Sequence, residues 1–445
     1  MSALPRLAPA PSPRPVESPS AGGRRRPARR PHLEPGALRR SLRASVAEGI
    51  AAEVVASCSS GAVLTGWALL LGGSPALVGL LGALPFVAQL AQIPAARLVE
   101  RFGPRRVALV SVALSREAFL PLVALPFLGF PPRAALAVLV AVAVASQVFA
   151  VACNGAWLAW MGELVPGGVR GRYFGRRGAI CTAAGAGAAL AAGTLLDRAP
   201  GPAVLAALAA ATCLAGAASV VLMARQAGGR PRPHDAWGRA VSIRDVLRAP
   251  AARRWAVLQL VSGGGAGLIV PFSSLYVLRD RALGFTFLAG YGAVSAAARV
   301  ASSRAWGRLL DGRRGARIVF HGSTALLGVS PLLWVLAAWA GPWVFALEAV
   351  TGGVATAGAT VAGLAVPLAL APRAERPAWN ATFALAGGLA FGAGTFLAVP
   401  LAALLPAGAA IAGPLTAPFL ASAALRAAAA ALALKLDPFS TASTR

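Results

Sequence analysis

Ionisable side chains interrupt the long apolar stretches of this 445-residue sequence at only a few positions. Glu53 lies in the first stretch, the neighbours Arg116 and Glu117 lie in the third, and Glu348 lies in the tenth. A charge at the centre of a lipid bilayer costs about 2.5–3.5 kcal/mol, so charges retained there generally pair or bind an ion, a proton or a solute. These four residues are therefore the first candidates for function.

The positions of these charges suggest how they combine. Glu53 and Arg116 lie at similar depths in their stretches, so they are candidates for an ion pair, while Glu48 lies nearer the end of its stretch. Adjacent helical residues point about 100° apart, so Arg116 and Glu117 do not both face one cavity. Glu348 lies near the end of its stretch. The two arginines within apolar stretches of the second half, Arg299 and Arg426, do not lie at that depth.

Other chemistries are excluded by missing residue types. Lys435 is the only lysine, so no phosphate-binding loop of the GxxxxGK[ST] type exists and ATP hydrolysis at such a site is ruled out. Three histidines, and four cysteines without a CxxC pair, give no pattern for a metal site or a disulfide framework. The sequence therefore predicts no catalytic residues, no metal and no cofactor.

The composition is that of an integral membrane protein. The chain is 57% hydrophobic and only 13% charged, about half the charged fraction of soluble domains, and its mean hydropathy is +0.68. A net charge of +27 would suggest a nucleic-acid partner in a soluble protein. Here the basic residues cluster between apolar stretches, which predicts a lipid bilayer as the partner and no nucleic acid.

The apolar stretches predict twelve transmembrane helices. Each is long enough to cross about 30 Å of hydrocarbon, and each is continuously apolar rather than alternating, which favours helices. The predicted spans 1 to 12 cover 47–71, 76–96, 107–130, 134–160, 178–196, 202–224, 255–278, 285–305, 318–340, 343–370, 380–404 and 410–434.

The distribution of basic residues predicts the orientation. The two tails and the even-numbered connections hold 35 of the 42 Lys and Arg residues, and the odd-numbered connections hold 4. Cytoplasmic segments carry such an excess, so both termini are expected in the cytoplasm. With a single lysine, nearly all basic residues are arginine, which hints at a GC-rich bacterial genome and hence at the bacterial inner membrane.

The chain reads as two six-span halves with basic flanks. Its first 43 residues hold nine prolines and ten arginines, which indicates disorder. The loops at 96–106 and 307–317 repeat a pattern of a basic residue, an acid three residues later, then a glycine and arginines. The predicted parts are a disordered basic cytoplasmic tail at 1–46, an N-terminal half at 47–224, a cytoplasmic linker at 225–254, a C-terminal half at 255–435 and a cytoplasmic tail at 436–445.

With this loop between spans 2 and 3, the sequence resembles the major facilitator superfamily of secondary transporters. The family's loop runs roughly Gly-x-x-x-Asp-Arg-x-Gly-Arg-Arg, and the segment at 166–174 also resembles a loop of bacterial members. The first loop of this chain matches with Ala96, Glu100, Arg101, Gly103, Arg105 and Arg106, and the second copy contains Gly307 and Asp311.

The resemblance implies an all-helical bundle of two pseudo-symmetric halves around a central cavity, and transport of a small solute by alternating access. The seven loop residues from Glu100 to Asp311 would then belong to conformational gates. The resemblance also implies that Glu100 contacts the start of span 11 when the cytoplasmic side is closed. The other interpretation is that Glu100 only balances the charge of neighbouring arginines in a solvated loop.

The resemblance also implies which spans line the cavity, namely 1, 2, 4, 5, 7, 8, 10 and 11. Span 3 lies at the periphery, which favours a structural role for Arg116 and Glu117. Each uncharged candidate could equally form an interhelical hydrogen bond, and Glu348 is either a proton or cation contact or an exposed acid near the interface. The cavity candidates are Glu53, Gln89, Asn154, Gln259, Glu348 and Asn380.

Two alternatives to transport stay open at this stage. One is a transporter-like membrane protein that senses or scaffolds, and a cavity lined only by Leu and Ala would favour it. The other is a membrane enzyme, which the near absence of histidine disfavours. For a transporter, the expected driving force is a gradient of the solute or of protons.

Overall fold

The computed structural model describes residues 35–165, 167–227, 242–310, 315–372, 375–404 and 413–436, and all regular structure in these ranges is helical. A helix occupies each of the twelve predicted spans. In chain order these helices are Pro35–Ser59 with Ala62–Leu70 (span 1), Pro75–Val87 with Gln92–Phe102 (span 2), Pro104–Glu117 with Leu120–Ala124 (span 3), Pro132–Leu164 (span 4), Gly167–Arg198 (span 5), Pro202–Ala224 (span 6), Pro250–Ile269 with Ser273–Leu275 (span 7), Gly284–Leu310 (span 8), Gly315–Ala340 (span 9), Trp343–Leu370 (span 10), Arg376–Ala402 (span 11) and Thr416–Leu436 (span 12).

Ten of these helical segments are long and apolar enough to cross a bilayer, and the bent span 2 makes an eleventh. The sequence predicted twelve spans, and the one that is not among these eleven is span 8. That helix has 27 residues, enough to cross a bilayer, and Arg299, Arg304 and Arg308 lie along it. It contacts span 5 of the first half and span 10 of the second.

The two halves repeat the same internal packing. In the first half, spans 1 and 6, 1 and 5, and 3 and 4 are neighbours, and in the second half spans 7 and 12, 7 and 11, and 9 and 10 are neighbours in the same way. Between the halves, span 2 contacts span 11 and span 8 contacts span 5. Replacing each span by its counterpart in the other half (2 by 8, and 11 by 5) turns the first contact into the second, so the arrangement is pseudo-two-fold.

The prediction of a disordered tail at 1–46 is wrong for residues 35–46, while residues 1–34 lie outside the described ranges. The first helix begins at Pro35, and its early turns pack on the first half. Ser41 and Ser45 are buried, and the Ser41 hydroxyl accepts a hydrogen bond from the backbone N–H of Ala227 at 3.0 Å. Arginines on successive turns gave this helical extension the composition of a disordered segment, so the sequence did not predict it.

The predicted linker at 225–254 is partly helical. Residues 228–241 lie outside the described ranges, but a short helix follows at Ile243–Arg248, and span 7 begins at Pro250. Ser242 and Asp245 form a capping box at the start of the short helix. Hydrogen bonds from Ser242 lower the pKa of the Asp245 carboxyl below its ordinary value.

Spans 7 and 11 approach each other through glycines. A side chain at Gly267 would overlap the carbonyl of Phe391, and one at Gly394 would overlap the carbonyl of Gly264. The close approach allows the Thr395 hydroxyl to donate to the Gly267 carbonyl at 3.1 Å. Small residues serve this purpose in membranes, where association depends on packing rather than on the hydrophobic effect.

We expect Gly267→Ala to lower the midpoint of thermal unfolding of the detergent-purified protein, because the new methyl group meets backbone rather than a movable side chain. The expected loss is about 1–3 kcal/mol of stability. Gly264→Ala is the matched control on the same helix, since its Cβ would lie 3.8 Å from the Ala390 carbonyl oxygen, an ordinary contact. Equal midpoints for the two variants would contradict the close packing.

Candidate functional site

A cavity of about 660 Å³ lies between the two halves and is lined by spans 1, 2, 4, 5, 7 and 8. Among its described lining residues only Glu53 of span 1 and Arg299 of span 8 are charged. Most of the remaining wall is small or apolar. Its neutral polar side chains are Ser57, Ser60, Thr65, Gln147, Thr182, Ser273, Ser274 and Tyr291.

Two helices of the cavity wall are interrupted at equivalent positions. Span 1 breaks at Gly61, whose φ of 54° suits a residue without a side chain. Span 7 changes to a 3₁₀ turn at Val270–Phe272, which contains Pro271. Each break lies at the cavity, and interrupted helices commonly mark solute sites in transporters because they free backbone polar groups.

One end of the bundle carries the arginine-rich loop between spans 2 and 3, and we call it the basic face; the other end is the opposite face. At the opposite face, the Asp197 carboxylate of span 5 accepts hydrogen bonds from the backbone N–H groups of Phe285 and Thr286, at 2.8 and 2.7 Å. These N–H groups begin span 8. A side chain of the first half therefore caps a helix of the second half.

Further contacts close the same end. The hydroxyls of Thr65 in span 1 and Ser274 in span 7 lie 2.8 Å apart. At mid-depth, the rings of Phe86 in span 2 and Phe391 in span 11 stack with centroids 3.6 Å apart. No hydrogen bond joins the halves on the basic side of these rings within the described part of the chain. The conformation is thus closed at the opposite face.

Glu48 and Arg177 form an ion pair inside the first half, with 3.0 Å between the charged groups. The Ser219 hydroxyl donates to the same carboxylate at 3.1 Å. The guanidinium also donates to the Ser45 carbonyl at 3.1 Å and lies over the Trp157 ring. Spans 1, 5 and 6 are joined at this point, and the sequence analysis did not identify the pair.

The predicted pair of Glu53 with Arg116 does not form in this conformation. Arg116 points away from the cavity and donates to the Ala52 carbonyl at 3.5 Å, and its stem packs on the backbone of Gly216 in span 6. Glu53 instead turns toward the cavity. The neighbouring Glu117 interacts with the thiol of Cys213. Similar depth brought the two charges near each other but not into contact.

Glu348 is buried one residue behind the cavity wall, with 3% of its surface exposed. Tyr291, which lines the cavity from span 8, donates its hydroxyl to one carboxylate oxygen. Ser330 of span 9 donates to the other oxygen at 2.5 Å. Arg426 of span 12 interacts with Glu348 electrostatically, but its guanidinium donates to the Leu327 carbonyl instead. Glu348 is therefore not an exposed interfacial acid.

The four uncharged candidates lie outside the described lining of the central cavity. Gln89 lines a separate groove of about 360 Å³ between spans 2 and 11. Gln259 lies beside Gly387 at the contact of spans 7 and 11. Asn154 and Asn380 are exposed.

The loop between spans 2 and 3 has a clear structural basis. Gly103 has a φ of 82°, a left-handed conformation that requires glycine, and it separates the helix ending at Phe102 from the helix beginning at Pro104. Arg105 donates to the Ala224 carbonyl at the end of span 6 at 2.8 Å, which suits a helix C-terminus.

The remaining gate candidates are less engaged in this conformation. Glu100, Arg101 and Arg106 are exposed, and Arg101 stacks on the Phe102 ring. Gly307 lies within span 8, and Asp311 falls outside the described residues. The structure therefore leaves the predicted role of Glu100 untested.

A comparison with protein families matches residues 50–346, well over half of the chain, to the Major Facilitator Superfamily. The chain belongs to this superfamily. It is thus a membrane transporter of the secondary type and not an enzyme, as the resemblance of its loops predicted. No curated protein sequence matches the chain.

Solved structures of other superfamily members share the fold. The nucleoside transporter NupG has a TM-score of 0.69 at 11% identity, covering 89% of this chain and 99% of its own. A bacterial homologue of the iron transporter ferroportin, in an inward-facing state, has a TM-score of 0.68 at 15% identity, covering 92% and 100%. A D-xylose–proton symporter has a TM-score of 0.69 at 13% identity, covering 89% and 97%. At these identities the likeness establishes the fold alone.

We expect Glu48→Gln or Arg177→Gln alone to lower the midpoint of thermal unfolding, because each leaves a buried charge without its partner. Loss of one member of a buried pair costs up to about 3–5 kcal/mol. The double variant should recover part of this loss. The matched comparison is Glu53→Gln with Arg116→Gln, which make no contact and should be additive. Additive losses at Glu48 and Arg177 would contradict the pairing.

Proposed function

We propose that this transporter moves a small solute across the bacterial inner membrane by alternating access, driven by a solute or proton gradient. The observation that carries the proposal is the position of the cavity, which is lined by both halves and closed at the opposite face by hydrogen bonds between them. With the basic face in the cytoplasm, as the arginine distribution predicts, this is an inward-facing conformation. A rocking motion of the halves would then expose the same cavity outward.

The polar lining supports transport over a sensing or scaffolding role. A transporter-like scaffold needs no hydrated site, and a wall of Leu and Ala alone would suit it. Instead both charged side chains, Glu53 and Arg299, are retained in the cavity at an energetic cost.

The start of span 11 provides a site at which the basic face can close. The first turn of this helix has no side-chain cap. The nearby Glu375 carboxylate accepts the indole N–H of Trp379 at 3.1 Å instead. We therefore assign the capping role in the outward-facing state to Glu100, which is exposed here. Capping by an acid at a helix N-terminus is worth about 0.5–2 kcal/mol.

Opposite shifts of the conformational equilibrium are expected from the two caps. In a background without the native cysteines, Ser60→Cys places a probe in the cavity wall. Asp197→Ala should raise labelling of this probe from outside intact cells by about tenfold, because two charge-assisted hydrogen bonds are lost from the inward-facing state. Glu100→Gln should lower outside labelling and raise labelling in inside-out vesicles.

Two substitutions serve as controls for this experiment. Asp280→Asn removes a carboxylate that pairs only with its neighbour Arg279, and Glu100→Asp keeps the charge; both should leave labelling nearly unchanged. A probe that reacts from one side only, whatever the variant, would refute alternating access.

Glu348 is our candidate for the site of proton coupling. As a carboxylate it accepts hydroxyl hydrogen bonds from Tyr291 and Ser330, whereas a protonated carboxyl carries an O–H donor that can reverse one of these bonds. Because Tyr291 lines the cavity, such a change reaches the solute site directly. Arg426 of span 12 interacts electrostatically with Glu348.

We expect Glu348→Gln to change labelling of the Ser60→Cys probe in inside-out vesicles, because the glutamine keeps the size of the side chain but replaces one accepting oxygen with an amide donor. The altered hydrogen bond would move Tyr291, which lines the cavity. Glu117→Gln, on the peripheral span 3, should leave labelling at the wild-type level. Unchanged labelling in Glu348→Gln would exclude Glu348 as the coupling site.

A further inference from the structure

The two charges of the cavity lining, Glu53 and Arg299, make no ion pair and no side-chain hydrogen bond with described residues. The charged side chains that are fully buried elsewhere all have such partners: Glu48 pairs with Arg177, Glu348 accepts two hydroxyl groups, and Arg426 donates to a carbonyl. Glu53 and Arg299 are therefore available to a ligand in the cavity.

The positions of both charges are set by the helices that carry them. Glu53 belongs to the first half and Arg299 to the second, so each half contributes one charge to the cavity lining. The carboxylate lies over Gly185 of span 5, where an added Cβ would come within 2.7 Å of it. The Ser57 hydroxyl, one turn further along, donates to the Gly185 carbonyl at 3.1 Å and fixes spans 1 and 5 at this point.

Glu53 interacts electrostatically with Arg177 of span 5, with Arg299 and with Arg116, but it forms no ion pair with any of them. A ligand with a single positive charge would be attracted by Glu53 and repelled by Arg299, and a single negative charge would meet the reverse. A ligand with both charges satisfies both side chains. Apolar groups from both halves complete the wall, among them Leu64, Leu81, Phe285 and Leu288.

We infer that the cavity binds a small zwitterion with an apolar body, its ammonium group at Glu53 and its carboxylate at Arg299. A guanidinium binds a carboxylate through two parallel hydrogen bonds, which gives this contact both strength and direction. The volume of about 660 Å³ lies within the usual range of small-molecule sites. This inference rests on the proposed transport function and names the substrate class of the same site.

The test uses full-length wild-type protein in detergent and matched sets of three compounds with one apolar body. Phenylalanine, phenethylamine and 3-phenylpropionate form one set, and the corresponding sets built on leucine and tryptophan vary the body. Binding is measured as the ligand-dependent rise of the thermal unfolding midpoint. We expect at least one amino acid to bind about tenfold or more tightly than both of its single-charge analogues.

Two variants connect the preference to its residues. Glu53→Gln should bind the amino acid and its des-amino acid with similar affinity, since the group that recognises the ammonium is lost. Arg299→Gln should likewise lose its preference for the amino acid over the amine. Arg304→Gln removes an exposed arginine five residues along the same helix, outside the cavity lining, and should keep wild-type preferences.

The inference is overturned if no amino acid of the panel binds, or if an amine or acid binds as tightly as its zwitterion. It is equally overturned if both variants keep the wild-type preference. The labelling experiment with Ser60→Cys needs no ligand, so the two failures are distinct. Alternating labelling without zwitterion binding refutes the substrate class alone, and zwitterion binding without alternating labelling refutes transport alone.

Discussion

The described conformation depends on two hydrogen bonds that the Asp197 carboxylate accepts from the first N–H groups of span 8. The beginning of every helix leaves such groups without partners in the helix, so a side chain or water must satisfy them. In this protein the side chain comes from the other half of the molecule. The second half therefore has this cap only while the halves are closed at this end, which ties a local contact to a global state.

The pseudo-two-fold packing places the same requirement at the other end of the bundle. Span 2 faces span 11 as span 8 faces span 5, and span 11 begins without a side-chain cap. In the proposed cycle the start of span 8 is capped in one state and the start of span 11 in the other. Each state therefore leaves one of the two helix starts without a side-chain cap. Such an exchange keeps the two conformations close in free energy, as transport in either direction requires.

Much of the fold could be predicted from the sequence, because a continuous apolar stretch of about twenty residues has few structures available in a bilayer. The loop motif predicted the superfamily, and its Gly103 occupies the backbone conformation that only glycine adopts readily. The helical segment that begins at Pro35 was missed because arginines dominate its composition, although the buried Ser41 and Ser45 lie on its packed side. Local composition does not reveal which face of a helix meets protein.

The site was predicted less well, since depth along a helix is readable from a sequence and direction around it is not. Glu53 was a candidate because it interrupts an apolar stretch, and it lines the cavity. Its expected partner Arg116 points to the neighbouring helices, and the other charged residue of the cavity lining is Arg299. Asp197 was missed because an acid next to Arg198 at the end of a span looks like any interfacial residue.

The glycine contacts of spans 7 and 11 have a mechanical consequence. Side chains normally separate helices by a layer whose rotamers adjust to small displacements, but here backbone meets backbone at Gly267 and Gly394. The two helices must therefore move as one piece. One of them carries the break at Pro271 in the cavity wall, and the other begins at Arg376 on the basic face. A displacement that a solute causes at Pro271 is therefore transmitted to the start of span 11 at the basic face. That start lies more than a dozen ångströms of helix away, at a rise of about 1.5 Å per residue.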